Sequence, residues 1–346
     1  MRIYCTLFDG GYVARGLVLA NSLSEHCSPC RLYILCMDDE AKTLIEQLNI
    51  PNVVPISLAK FEKEDSQLAE VKTSRSTVEY YFSCKASLIK YVLMKEPECE
   101  RVSYLDSDLF FFSDPTQLDK EIADSSVAVI GHRFSPVNQR LYKYGQFNAG
   151  WLSVRNDSVG IQCIDWWRNQ CVEWCYDYVE NDRYADQKYL DKFPALFNST
   201  IVQNIGTNLA PWNIGNHNFT HNDKKIFVDG EEVIFFHFQG VKRLIGSIIE
   251  SGFASYRQQL SSVVRDYLFV PYMEKWCAAE IKVNKLRHEF NSQKDSKQKG
   301  IATKKIRRGS FFRRSRILLT SILLNIRYRT FFIFNCGINK NDNNVD

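Results

Sequence analysis

No stretch of this 346-residue chain reaches the roughly 18 consecutive apolar residues that a membrane-spanning helix needs, because Arg327 and Arg329 interrupt the best of them. The opening run Arg2-Ile3-Tyr4-Cys5-Thr6-Leu7 also lacks the apolar core and small-residue cleavage site of a signal peptide, and it reads as a first strand. No internal repeat is present. The eleven cysteines are odd in number and sit singly in apolar stretches, which predicts reduced, buried thiols in a cytosolic protein. Cys27 and Cys30 form a CxxC, and Cys171 and Cys175 lie one helical turn apart, but neither pair has a partner pair at zinc-finger spacing.

What is present is an apolar fraction of 45%, enough for a substantial core, and an uneven charge. Residues 281–346 hold sixteen Lys and Arg against four Asp and Glu, a local +12; with +4 overall, residues 1–280 carry −8. This division predicts one large domain over 1–280 and a basic tail over 281–346, with Asn291 to Ala302 as a linker. A tail of that kind seeks phosphates or anionic lipids while the acidic body does something else.

The first hundred residues alternate strand and helix patterns: strands at Ile3 to Leu7, Leu32 to Cys36 and Val53 to Ile56, helices at Val13 to Ser24 and Glu40 to Leu48. Such alternation predicts an α/β fold, a mostly parallel sheet flanked by helices, with ligands at the carboxyl ends of the strands. A long helix over Val78 to Met94 precedes a short buried strand, Val102 to Leu105, which delivers Asp106-Ser107-Asp108 to that edge. Further on we expect a strand at Gly150 to Val154, a helix from Val159 to Tyr178, late strands at Ile226 to Val228 and Val233 to Phe238, and helix from Phe253. Trp166, Trp167 and Trp174 share one helical face, which favours core packing over a sugar platform.

An Asp-x-Asp is by itself a weak signal, since composition alone gives about one in a chain of this length. In an extended segment, however, Asp106 and Asp108 point the same way and converge on one hard cation, Mg²⁺ or Mn²⁺, with a diphosphate completing its shell. The alternative is a loop whose aspartates cap the next turn. Gly145-Gln146-Phe147-Asn148-Ala149-Gly150 places small residues beside an amide able to donate to and accept from hydroxyls; alone it would be a turn. Asp186 reads either as the N-cap of a helix whose first turn carries Gln187 or as a site residue. His237 ends a strand next to Gly240, Lys242 and Arg243, as an imidazole metal ligand beside a phosphate site would. The histidines at 26, 132, 217, 221 and 288 lack that setting.

Together these pieces resemble the GT-A (Rossmann-like) glycosyltransferases, most closely glycosyltransferase family eight, the glycogenin and lipopolysaccharide galactosyltransferase type. The resemblance covers about residues 1 to 245. It rests on Tyr4-Cys5-Thr6-Leu7-Phe8-Asp9 with Tyr12, on Tyr104-Leu105-Asp106-Ser107-Asp108, on Phe147-Asn148-Ala149-Gly150, on Asp186-Gln187 and on His237-Phe238-Gln239-Gly240. An Ala210-Pro211-Trp212-Asn213 element is shared with a narrower bacterial group. The resemblance implies that Asp106, Asp108 and His237 bind the metal, that Phe8, Asp9 and Tyr12 line a nucleoside pocket, and that Lys85 binds the donor. It further implies that Asn148, Asp186 and Gln187 face the transferred sugar, and that the anomeric configuration is retained. Where family members continue the histidine motif into Lys-Pro-Trp, this chain has Lys242-Arg243-Leu244, so either cation is a candidate for the diphosphate.

The implied reaction moves a sugar from a nucleotide-diphosphate donor to a glycan or glycolipid acceptor, in bacterial surface polysaccharide or lipopolysaccharide assembly. A sugar nucleotidyltransferase would need a Gly-rich first loop, which Phe8-Asp9-Gly10-Gly11-Tyr12 matches poorly. A non-enzymatic membrane or nucleic-acid adaptor would leave the ordered motifs without a purpose. For the tail we expect an interfacial helix over Phe311 to Arg327, whose Phe311, Phe312, Leu318, Leu319, Ile322, Leu323 and Ile326 share an arc of about 140°. It would bind an anionic membrane on the cytoplasmic face and no nucleic acid. The same arc docked on the main domain or on a second subunit is the alternative.

Overall fold

The computed structural model of the chain describes residues 1–223, 225–245, 248–298 and 331–333. The alternation appears as β1 (Arg2–Phe8), α1 (Val13–His26), β2 (Cys30–Cys36), α2 (Asp39–Leu48) and β3 (Val53–Ser57). Then come α3 (Leu58–Glu64), α4 (Ser66–Val71), α5 (Thr77–Lys95), β4 (Arg101–Leu105), β5 (Leu109–Phe111), α6 (Thr116–Glu121) and β6 (Val127–Gly131). The second half continues with β7 (Phe147–Arg155), α7 (Ser158–Glu173), α8 (Phe193–Phe197), β8 (Thr200–Val202), β9 (Phe219–Asn222), β10 (Lys225–Val228), β11 (Glu231–Glu232) and β12 (Phe235–His237). β13 (Lys242–Ile245), β14 (Ile248–Glu250), α9 (Ser262–Val264), α10 (Val270–Gln298) and β15 (Phe331–Ile333) complete the described elements.

Seven strands form one sheet in the order β3-β2-β1-β4-β7-β6-β8. β3, β2, β1 and β4 run parallel, β7 runs antiparallel to both its neighbours, and β8 is parallel to β6. Alternate side chains of β1 and β2 enter opposite faces, as a strand covered on both sides requires. Tyr4, Phe8, Leu32 and Ile34 pack with α1, α2 and α10, whereas Ile3, Cys5, Leu7 and Leu35 pack with α5 and α7. Local signals fix the helix starts. Asp38 caps α2 by accepting from Ala41 N at 2.7 Å, and Ser76 and Glu79 form a reciprocal capping box on α5.

Two expected helices differ in extent. α7 ends at Glu173, short of Tyr178, where Arg75 donates to the carbonyl of Val172 in the last turn and to that of Cys175 just beyond it, at 2.9 Å each. Trp167 and Trp174 of this region are buried in the core, as their spacing predicted. α10 continues past residue 280 and over 291–298, the first part of the expected linker, which contains no glycine or proline to stop it. The amphipathic segment expected over Phe311 to Arg327 lies outside the described residues. No helix among the described residues is long and apolar enough to cross a membrane. Among the described residues nine cysteines are free thiols and eight of these are buried; Cys277 is disulfide-bonded, a correction to the expectation of reduced thiols throughout, since an odd count says nothing about any one residue.

Candidate active site

The geometry of the site follows from the sheet. β4 ends at Leu105, which pairs with Trp151 of β7, and Asp106 N donates to Gly150 O at 2.8 Å. Because β7 runs antiparallel, its amino end, Phe147 to Gly150, meets the carboxyl end of β4. Asp106, Ser107 and Asp108 do not continue the strand as expected. They form a turn closed by Leu109 N donating to Asp106 O at 3.1 Å, and this turn, instead of extended alternation, brings the two carboxylates together.

His237 reaches the turn through a separate two-stranded ladder, in which β12 pairs antiparallel with β5 and His237 stands opposite Leu109. Phe238 N donates to Asp108 O at 2.9 Å. One ligand atom each from Asp106, Asp108 and His237 lies within 4.8 Å of the others. His237 Nε2 is 3.0 Å from Asp108 Oδ1 and 3.9 Å from Asp106 Oδ2, yet neither ring nitrogen makes a hydrogen bond among the described residues. Gly150 closes the floor: a Cβ there would sit 2.7 Å from His237 Cε1 and 2.8 Å from Asp106 Oδ2. Two hard carboxylate oxygens, an imidazole with orphaned nitrogens and a floor without a side chain fit a divalent cation.

Lys85 binds the same cluster from α5. Its ammonium is 3.0 Å from Asp106 Oδ1, 3.4 Å from Asp186 Oδ2 and 3.2 Å from the Ala149 carbonyl. Tyr104 Oη donates to Asp106 Oδ1 at 2.9 Å. Burial disfavours the charge on Lys85, but the Asp106 and Asp186 carboxylates outweigh it and hold its pKa above the usual value. Burial, with the Asp106 charge adding to it, leaves Asp186 raised despite Lys85. For Asp108 burial pushes upward and His237 prevails, so its pKa is lowered; His237 is raised in turn, Asp108 overcoming its burial.

Asp186 is therefore no helix cap. The short 3₁₀ turn Lys188–Lys192 starts after Gln187 without a side-chain cap, and Asp186 is aimed instead at Lys85. Ala185 before it adopts the left-handed region, φ 46°, which alanine rarely occupies. The strain is held by Ala185 N donating to Tyr176 O at 3.0 Å and by Trp167 Nε1 donating to Asp186 O at 2.9 Å. Gln187 donates to Tyr144 O at 3.1 Å and accepts from Ala149 N at 3.4 Å. Asn148 accepts from Gly150 N at 3.0 Å. Lys85, Asp106, Asn148, Asp186, Gln187 and His237 thus line one cleft of about 390 Å³.

The other expected residues lie apart from that cleft. Phe8 is buried with its ring against Gly16, where a Cβ would sit 2.2 Å from its Cζ. Asp9 caps the turn at Gly11 and accepts from Tyr81 Oη at 3.1 Å; Tyr12 is exposed beneath the Arg15 guanidinium, 4.4 Å from its ring. Gly240 takes φ 80° in the turn before β13. Lys242 is 3.0 Å from Glu250, and Arg243 is paired with Glu280 and lies over the Trp276 ring. Conversely, His132, Phe134, Trp212 and Tyr256 line the cleft without having been singled out as site residues. His132 follows the apolar run Val127 to Ile130 as Asp106 follows Val102 to Leu105, and that parallel was the available signal.

A mixed sheet of this order with an Asp-x-Asp turn at its carboxyl edge defines the GT-A fold of the glycosyltransferases, and a solved structure agrees with it. Galactosyltransferase LgtC, crystallised in complex with donor and acceptor sugar analogues, aligns over 80% of this chain and 95% of its own with a TM-score of 0.51 and 18% identity. The fold that the motifs led us to expect is thereby met. In sequence the chain is 32% identical over 241 residues to the uncharacterized protein YfnD of Bacillus subtilis (strain 168), across 68% of this chain and 77% of YfnD. Uncharacterized protein YfnF of the same strain is 31% identical over 248 residues, across 69% of this chain and 81% of YfnF. The chain belongs to the family of YfnD and YfnF. No family model matches it.

Proposed function

We propose that the protein is a glycosyltransferase that moves a sugar from a nucleotide-diphosphate sugar to a glycan or glycolipid acceptor. One observation carries the reading: the carboxyl edge of the sheet gathers Asp106, Asp108, His237, Lys85, Asp186 and Asn148 around a single cleft. A Mn²⁺ or Mg²⁺ held by Asp106, Asp108 and His237 would supply positive charge against the departing nucleoside diphosphate. The chain's own groups do the positioning. Lys85 fixes Asp106 on one side and Asp186 on the other, so the metal turn and the sugar-facing carboxylate keep one spacing. Asn148 and Gln187, each held by hydrogen bonds at both ends of its amide, would face the transferred sugar.

Asp9 and Tyr12, just past the carboxyl end of β1, would meet the nucleoside, whereas the ring of Phe8 is buried against Gly16. Gly240, Lys242 and Arg243 follow His237 in sequence; either cation would leave its carboxylate partner to reach a diphosphate. Retention of configuration, a surface-polysaccharide or lipopolysaccharide acceptor, and recruitment to the cytoplasmic face of an anionic membrane by the basic tail complete the proposal. The test is a panel of nucleotide sugars incubated with purified protein and Mn²⁺, with and without EDTA. Metal-dependent release of nucleoside diphosphate from one donor is the expected result. Pyrophosphate release from a nucleoside triphosphate and sugar phosphate would identify a nucleotidyltransferase instead, and no turnover of any kind would leave the adaptor reading.

A further inference from the structure

A second imidazole stands in the cleft besides that of His237. His132 is buried, its ring stacked on Phe134 with centroids 4.5 Å apart and set edge-on to Trp212 at 5.3 Å. Its backbone is held equally firmly. The carbonyl of His132 accepts from Trp212 Nε1 at 2.9 Å and from Asn213 Nδ2 at 3.0 Å, and its N–H donates to Gln146 O at 2.9 Å. The Ala210-Pro211-Trp212-Asn213 element thus holds His132 in place.

The two ring nitrogens have different partners. Nδ1 is 3.3 Å from the carbonyl of Gln146, and Nε2 is 3.2 Å from Nδ2 of Asn148. A carbonyl only accepts, so the proton resides on Nδ1 and Nε2 is the acceptor. Asn148 must then turn its NH₂ toward the ring, which agrees with its oxygen accepting from Gly150 N at 3.0 Å. Both ends of the amide are specified, and the second N–H of Nδ2 is left for a ligand.

We propose that His132 is a positioning residue that fixes the orientation of the Asn148 amide, so that the cleft presents an N–H donor, and not a carbonyl, to a hydroxyl oxygen of the transferred sugar. The proposal rests on reading the cleft as a sugar site. A free amide turns over with little change in shape and offers either end to a hydroxyl; the neutral imidazole on one end, with the Gly150 N–H on the other, removes that freedom. Burial, chiefly, pushes His132 down to about 3, so the ring keeps its acceptor lone pair throughout the working range. A hydrogen bond of fixed polarity to a substrate hydroxyl discriminates against a sugar lacking that oxygen, because the buried N–H would then be unpaired.

Two measurements test this, and the first needs no substrate. In ¹⁵N-labelled protein, NMR should show His132 in the Nδ1–H form, with the Asn148 side-chain amide protected from exchange. His132→Phe, which keeps the ring and its stacking but removes the acceptor, should abolish that protection, and His132→Gln should restore part of it. An Nε2–H tautomer, or an Asn148 amide unchanged in His132→Phe, overturns the proposal whatever the protein transfers. The second measurement is kinetic. His132→Phe should lower kcat about tenfold or more with donor KM changed by less than about threefold, and should add nothing to Asn148→Ala in the double variant. Additive losses would mean that His132 acts independently of the amide and would also overturn it. Absence of any turnover by the wild-type protein would remove the proposed function, while the NMR result decides the orientation of the amide by itself.

Discussion

Lys85 and Asp186 form a buried ion pair, Nζ to Oδ2 3.4 Å, with side chains only 7% and 3% exposed. The ammonium also pairs with the partly exposed Asp106, so its removal leaves the buried Asp186 carboxylate uncompensated. Lys85→Met is expected to lose stability on the order of 3 kcal/mol, the usual cost of leaving one member of a buried pair alone. Adding Asp186→Asn should recover much of that loss, since the uncompensated charge is gone, without recovering turnover. Thermal melts of the two variants check the first point and donor hydrolysis the second. A double variant as unstable as Lys85→Met would show that the pair does not carry the effect.

Asp108 would touch the proposed cation through a carboxylate outside the hydrophobic core, which separates chemistry from folding. Asp108→Ala should abolish metal-dependent transfer while melting within a few degrees of wild type, and wild-type protein in EDTA should match it. His237→Ala keeps the two carboxylates, so its midpoint for activation by Mn²⁺ should rise about tenfold or more while activity at saturating metal falls less. An unchanged Mn²⁺ midpoint would assign His237 to structure.

Asp186 and Gln187 meet the cleft beyond the metal turn, beside the reacting sugar in the proposed function. Asp186→Asn and Gln187→Ala should therefore lower kcat more than they weaken nucleoside diphosphate binding, measured by calorimetry. Equal losses in rate and affinity would place this segment in the nucleotide pocket.

How much of this was legible in the sequence depends on the distance over which each signal acts. α1, α2 and α5 declared themselves through local periodicity, and Asp106 through the apolar strand before it. The end of α7 did not; there Arg75, about a hundred residues earlier, donates to the carbonyls of Val172 and Cys175. Asp186 carried the local signature of a cap, but a tertiary partner, Lys85, claimed its carboxylate. His237 could be suspected from its strand end, whereas its contact with Asp108 depends on the register of β12 on β5, which no local pattern encodes. His132 was passed over for the same reason: its meaning lies in Asn148 and Gln146 across the β6 and β7 pair.

Away from the site, Asp65 and Arg168 tie α4 to α7. The carboxylate caps α4 at Leu68 N, 3.1 Å, accepts from Ser87 at 2.8 Å and from Arg168 Nε at 3.0 Å. Burial raises the pKa of Asp65, but Arg168 and the hydroxyl and backbone donors outweigh it and hold it below the usual carboxylate value. A depressed folded-state pKa stabilises above the unfolded value and loses that stability as pH falls through the folded one. Arg168→Ala should therefore cost about 2–3 kcal/mol near neutral pH, below the figure for a fully buried pair, and the gap to wild type should close in acid. Urea unfolding at neutral pH and below about pH 3 would show it. A gap that persists unchanged in acid would attribute the loss to packing of the arginine stem.

Gly150 offers the sharpest separation of fold from site. It lies at the amino end of β7, where Asp106 N donates to its carbonyl, and a Cβ there would meet Asn148 Oδ1 at 2.6 Å, His237 Cε1 at 2.7 Å and Asp106 Oδ2 at 2.8 Å. Real Cβ atoms do not approach so closely, so Gly150→Ala must displace at least one of three groups, each assigned here a part in binding metal or sugar. The backbone itself is no obstacle, since Gly150 sits in β7 without a positive φ. The added methyl should therefore leave the sheet formed, with a melting temperature lowered by several degrees at most. Mn²⁺ affinity should fall about tenfold or more, because Asp106 and His237 are pushed from their common point. Metal binding by calorimetry, alongside circular dichroism of the same sample, measures both. Full Mn²⁺ affinity in a folded Gly150→Ala protein would mean that Asp106 and His237 do not share a cation.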